Sequence, residues 1–367
     1  MADSPDVAVI GAGVIGCAVA RELARRGAGR IVVIDGGAPG GEASGAAAGM
    51  LAVASSRAGR GVVAALKRAS AALVPDLAAA LREETGIDVE YAARGVLDLA
   101  FSSREAEQLG RFAARQRERG FAVETLDGDA VRADHPEINP AVRCGALFRD
   151  DAALHAPRLV EALHAAAAAR GVTFALGAPV RRIAARRGRV LALEAGGARL
   201  TPGQVVIAAG AGARAVGALL RAPIPVRADR GEMLAVRPAA PLAVPLFWGD
   251  ACLVPRADGE VLIGSTSAPR AVEKMVTAGG AALLLDRAVR MLPALAEAPV
   301  TRVWSGLRPR SLLGRPILGP LRGYANVTVA AGHHRSGVLL APITARLIGE
   351  LLLDRATSID LRPFRHR

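Results

Sequence analysis

The stretch GHHRSG, Gly332 to Gly337, sets two adjacent histidines and an arginine between glycines, just ahead of an apolar run with a helical pattern. Residues of these types can ligate a metal, pair a general base with its partner, or flank a bound anion. The spacing disfavours a metal, because neighbouring side chains on a turn point in different directions and no Cys, Asp or Glu stands at ligand spacing around them. A histidine-based nucleophilic triad has no nucleophile elbow to work from. For an anion such as a carboxylate, planar and permanently charged arginine is the suited partner. In a chain this rich in arginine, residue type alone does not single one out.

A second chemical signal stands near the start. Gly11, Gly13 and Gly16 follow the apolar run VAVI and open an alanine-rich helix, with Ala12, Val14 and Ile15 among them; Asp35 ends the next apolar run, IVVID. In this pattern the first glycine makes the turn, the second lets a pyrophosphate approach the positive helix end, and the third lets the helix pack closely. Asp35 would accept hydrogen bonds from an adenosine ribose and disfavours a 2′-phosphate there. A dinucleotide is the expected ligand, and NAD and FAD both satisfy the fingerprint. Strands of the same sheet return at QVVIAAG and NVTVAAG, which suits a long ligand covered by distant segments. Residues 41–49, GEASGAAAG, are small enough for their backbone to lie against it, although alone they would pass for a linker.

The elements that position these groups begin with a βαβ unit in the first 35 residues. A helical pattern runs from about Val62 to Glu84, GIDVEYAARGVLDLAF alternates like strands, and Arg104 to Arg119 is a charged helix. From His155 a helix with proline in its first turn runs to Gly171, with VTFAL as the strand beyond. Between Pro223 and Pro299 short strands recur, including EMLAV, ACLVPR and EVLIGS, with RADGE as a hairpin turn; an antiparallel sheet is expected. A last helix reaches about Leu353.

At 367 residues two structural domains are expected. The net charge of +13 is nearly all arginine, Lys67 and Lys274 being the only lysines, which reads as compositional bias. The densest basic run, RRIAARRGR at Arg181 to Arg189, lacks aromatic platforms, so a solvated surface is expected and no nucleic-acid partner. Three cysteines and the lack of a charged-then-apolar leader point to the reducing cytoplasm. Arg346 and Glu350 interrupt VLLAPITARLIGELLL short of the roughly 18 apolar residues of a spanning helix, so no integral membrane association is expected.

Five segments together resemble the glycine oxidase and D-amino-acid oxidase family of FAD-dependent amine oxidoreductases, most closely the glycine oxidases of bacterial thiamine biosynthesis. They are GAGVIG with Asp35, SGAAAGML (44–51), LVPRADGEVLIGST (253–266), WSGLRP (304–309) and GHHRSGVLLAP (332–342). The resemblance implies an α/β fold: a Rossmann-type FAD-binding domain from 1–85, 150–222 and 300–361, and an inserted α+β substrate domain from 86–149 and 223–299 whose antiparallel sheet roofs the flavin ring. It implies noncovalent FAD, oxidation of a small amino acid to the imine by hydride transfer to flavin, and reoxidation by oxygen with release of peroxide, in homo-oligomers. In thiamine synthesis the glycine imine feeds the thiazole ring.

Carried over by position, Arg335 is the carboxylate-binding arginine and Arg308 a second substrate-site arginine. Met50 lies near flavin and substrate, a core methionine being the alternative. Ser44, Ala47, Ala48 and Gly49 lie along the cofactor, Val180 is the adenine-side backbone contact, and Ala209 with Gly210 form a second glycine turn. His333 shapes its turn, and His334 stands where relatives have Phe or Tyr. The N–H groups of Ser336, Gly337, Val338 and Leu339 would cap the flavin's pyrimidine end, where negative charge builds on reduction. Three departures bear on substrate. Cys252 replaces a tyrosine that helps hold the substrate carboxylate, Asp250 stands where some relatives have histidine, and Leu313 replaces an acidic residue. A D-amino-acid or sarcosine-like oxidase, a dehydrogenase with another acceptor and a flavin-binding scaffold therefore remain open alternatives.

Overall fold

The computed structural model describes residues 4–57, 61–354 and 356–366. A six-stranded sheet runs in the order Ile317–Pro320, Val327–Ala331, Gln204–Ile207, Val7–Ile10, Ile31–Ile34, Thr173–Ala175, parallel except at its first strand. Its strands are short apolar runs because both faces are covered. Val7, Val9, Ile31, Val33 and Val206 pack with the helices Val14–Arg25, Ala156–Ala169 and Gly337–Leu353. The alternate residues Ala8, Ile10, Val32, Ile34, Val205 and Ile207 face a three-stranded antiparallel sheet, Val180–Arg186, Arg189–Ala195 and Ala198–Leu200. The basic run at 181–189 thus lies in a β-hairpin, its arginines turned outward around buried Ile183.

A second, nine-stranded sheet joins strands from 96–148 to strands from 226–311. The two groups meet where Leu246–Trp248 pairs in parallel with Val96–Ala100. Strand Val300–Ser311, which the sequence boundary at 300 assigned to the FAD-binding segments, lies in this sheet: it pairs with Val226–Val236 from Val226↔Ser311 to Val236↔Val300.

The helical pattern at 62–84 is two helices, Val62–Ala71 and Val74–Thr85, because Pro75 takes the first turn of the second and so starts a new helix. Of the strands expected within GIDVEYAARGVLDLAF, only Val96–Ala100 is regular. The last helix is long and apolar enough by composition to span a membrane, yet Leu340, Leu347 and Ile348 are fully buried within the fold. It packs on Val14–Arg25 and Val62–Ala71.

Candidate active site and cofactor cleft

Where the two sheets face each other, a cavity of about 1040 Å³ runs from the Gly11–Gly13 turn to Cys252 and Arg308. Its cofactor end is built on close backbone approach. A methyl group at Gly16 would fall 1.8 Å from the Gly11 carbonyl oxygen, so only glycine lets the first helix start this close to the strand. The helix begins with Gly13 as N-cap and no side-chain cap of its own. Instead, the Val14 N–H donates to Ser44 Oγ at 3.0 Å, which ties the residue 44 segment to the helix mouth. Asp35 accepts the Ala12 N–H at 2.7 Å and the Gly37 N–H at 2.8 Å. Two of its roughly four lone-pair sites are thus committed to the turn, and the others are left for a ribose.

Residues 44–50 form one wall, pinned from the antiparallel sheet. Arg256 donates to the carbonyls of Ala48 at 2.7 Å and Leu154 at 2.9 Å, and Trp304 Nε1 donates to Ala46 O at 3.2 Å. Gly49 has φ +77°, and a Cβ there would sit 1.8 Å from Leu154 O, so the wall needs glycine at that point.

At the far end Arg308, its side chain 14 % exposed, donates to Thr266 O at 3.1 Å and lies 4.0 Å from Asp229 Oδ1. A methyl group on Gly231 would meet an Arg308 nitrogen at 1.9 Å, so the guanidinium lies flat against bare backbone. Asp229, 1 % exposed, also accepts from Ser267 Oγ at 2.8 Å and bonds His334 Nε2 at 2.9 Å. Burial alone would raise its carboxyl, but the hydrogen bonds from His334 and Ser267 and the charge of Arg308 outweigh burial and hold it below its usual range. His334 is held at φ +53°, uncommon outside glycine, and the Asp229 bond fixes it there. Burial, then the positive charge of Arg335, lowers the Arg308 pKa, so the two guanidiniums share one neighbourhood. Cys252 is buried with its thiol pushed up to about 11 by burial. Burial likewise drives His333 down to about 3; its ring lies 3.1 Å from Thr344 Oγ1, beneath the turn.

The chain matches the DAO family of FAD dependent oxidoreductases over residues 6–351. It belongs to that family. It is 37% identical over 364 residues to the glycine oxidase of Geobacillus kaustophilus, covering 98% of this chain and 96% of that protein. The crystal structure of glycine oxidase from that organism superposes with a TM-score of 0.95 at 35% identity, over 99% of this chain and 98% of the other. A bifunctional protein ThiO/ThiG of Synechocystis is 33% identical over 99% of this chain, which spans 54% of that longer protein.

Like its family, the chain is FAD-dependent, and its cleft suits that cofactor: a glycine turn at a helix mouth, a carboxylate at the second strand, and a length that reaches the half-buried Arg308 and the exposed Arg335. Gly11, Gly13, Val14, Ile15, Asp35, Ser44, Ala47, Ala48, Gly49, Met50, Val180, Ala209, Gly210 and His334 to Leu339 line it together with Cys252, Arg308 and Asp250. Ala12 and Gly16 do not. They stand behind the wall, Ala12 as a turn residue whose carbonyl accepts the Gly40 N–H at 2.9 Å, and Gly16 at the helix contact. Among the described residues no cluster of His, Cys, Asp and Glu could hold a metal. Asp229, Arg256, Met233 and Lys67 escaped sequence reasoning. Asp229 was signalled only by a carboxylate inside a strand, two residues before a glycine.

Proposed function

We propose that this oxidoreductase converts glycine or a similarly small amino acid to its imine, with oxygen as acceptor and peroxide as product, for synthesis of the thiamine thiazole ring. The observation that carries this reading is that Arg308 and Arg335 both line the FAD cleft, with Asp229 bracing Arg308. Bound FAD supplies the electron sink, so the protein's task is to position the substrate Cα–H and keep water out. The two guanidiniums hold the substrate carboxylate. Met50 and Met233 give the amine end apolar walls. Residues 336–339 aim the positive end of the last helix at the place where negative charge develops. Cys252 leaves more room and a weaker donor than the tyrosine of similar enzymes, which favours amines somewhat larger than glycine as additional substrates. The relatives named glycine oxidase support the substrate class, and the ThiO/ThiG likeness supports the pathway. Three free cysteines accord with a cytoplasmic setting.

Anaerobic mixing with glycine, sarcosine and small D-amino acids tests the reading: the flavin should bleach with at least one of them, and oxygen should restore its colour with stoichiometric peroxide. A flavin that no amine bleaches would sink the proposal, and slow reoxidation by oxygen would shift it to a dehydrogenase.

A further inference from the structure

An amino acid held by its carboxylate must still present its nitrogen, and apolar walls do not orient an amine. The ring of His334 stands beside the anchor. It is half-buried, with Nε2 at 2.9 Å from Asp229 Oδ2, while Arg308 approaches the other oxygen of the same carboxylate at 4.0 Å. Imidazole and guanidinium are thus one carboxylate apart. The turn His334–Ser336 is also tied to the strand Val300–Ser311, which carries Arg308, by the bridge Arg310↔His333. The charges of Arg308 and Arg335 both act on the Cys252 thiol, which places this group of side chains against the antiparallel sheet. Asp229 is held below the usual carboxylate range, so at neutral pH it is ionised and only accepts. Nε2 therefore carries the ring proton, and Nδ1 keeps a lone pair. Burial, helped by the charges of Arg335 and Arg308, keeps the ring below its ordinary pKa against the pull of Asp229, so that lone pair is available at neutral pH. Nδ1 has no hydrogen-bond partner among the described residues. It is also absent from the enclosed side-chain atoms that lack one, Ser55 Oγ, Arg230 Nε and His366 Nδ1. Nδ1 is therefore open, and the open space that His334 lines is the cleft.

We propose that His334 Nδ1 accepts a hydrogen bond from the amino group of the substrate and so determines which amines are taken and how the nitrogen is turned. This rests on the proposed amine oxidation, with the α-carboxylate held by Arg308 and Arg335. One buried carboxylate then serves both ends of the amino acid, bracing the arginine that takes the carboxylate and fixing the tautomer of the ring that takes the amine. The bond moves no proton and leaves the oxidation itself unchanged. Phe, which the family resemblance leads one to expect at this position, has no acceptor to offer.

The test uses FAD-loaded enzyme and two ligands that the reaction cannot consume: 2-aminoisobutyrate, whose α-carbon bears no hydrogen, and pivalate, in which a methyl group replaces the amine. Calorimetric titration at neutral pH gives both dissociation constants and their ratio. In His334→Phe the ratio should shift against 2-aminoisobutyrate by about tenfold to a hundredfold, as expected for a hydrogen bond to a charged group. His334→Gln, whose amide donates to Asp229 and still offers an acceptor, should keep most of the wild-type ratio. A ratio that is the same in His334→Phe as in the wild type overturns the inference. Equal weakening of both ligands does so too, because it would make His334 a brace for the arginines alone. A changed affinity of the flavin for sulfite with the ligand ratio intact overturns it as well, since the ring would then border the flavin. If neither ligand binds the wild type, the carboxylate anchor fails and the inference falls with it. If the ratio shifts as expected but no amine is oxidised, the proposed activity fails and the amine contact stands.

Discussion

At the scale of single residues, the proposed substrate end is a balance of charges in which one carboxylate, Asp229, braces Arg308 and His334, with Arg335 beyond them. Removing the outer one, Arg335→Ala, should weaken carboxylate substrates by the 2–5 kcal/mol typical of a broken charge pair, seen as a rise in KM with FAD retained. Normal KM in that variant would mean that the anchor lies elsewhere. Asp229→Asn keeps the shape but removes the charge that braces Arg308 and His334; kcat/KM should fall by about tenfold, the lower range for a hydrogen bond to a charged group. His333 makes a prediction about pH. Unfolded, it takes a proton near 6.5, but folded only near 3, so between those values the unfolded chain holds more protons and stability falls as pH drops. The loss is at most about 1.4 kcal/mol per unit, and His333→Gln should flatten that part of the urea-midpoint profile. Arg335 was legible because its motif is local. Asp229 was not, because in VRADRGEMLAV a carboxylate at an alternating position reads as solvent-facing. Its partners His334 and Arg308 come from segments that only the folded register brings together.

At the scale of elements, the cofactor end was readable because sterics leave so little choice: a strand, a turn that needs glycine and a helix that needs another. The hairpin at 180–195 was hidden because arginines crowd its outward positions and mask the alternation around Ile183. The wall at 44–50 has almost no side-chain packing of its own, being mainly alanine and glycine, and depends on clamps from the other sheet. Arg256, whose own pKa burial lowers to about 10, is the strongest of these clamps. Arg256→Met should leave the substrate arginines in place yet speed FAD loss on dilution by tenfold or more, on the order of 1.4 kcal/mol per decade. Cofactor retention like the wild type's would show that Trp304 suffices.

At the scale of the whole molecule, neither sheet is continuous in sequence. Strands at 7–10, 204–207 and 327–331 lie side by side, and those at 96–148 complete a sheet begun at 226. The sequence reveals each strand but not this interleaving, because strand order is decided by which faces bury one another. The outcome is a cleft walled by distant parts of the chain, with Cys252 buried along its lining. That placement bears on chemical durability. An enzyme that releases peroxide exposes its own sulfur to it, and peroxide attacks the thiolate, not the thiol. With the thiol held at about 11, only about one molecule in several thousand carries the anion at pH 7.5. Mass spectrometry after many turnovers should therefore find Cys252 without sulfinic or sulfonic acid, and accumulation of either would show that the thiol ionises more readily than its burial implies. If Cys252 faces the substrate as proposed, its small, neutral sulfur side chain serves there without becoming the first casualty of the enzyme's own product.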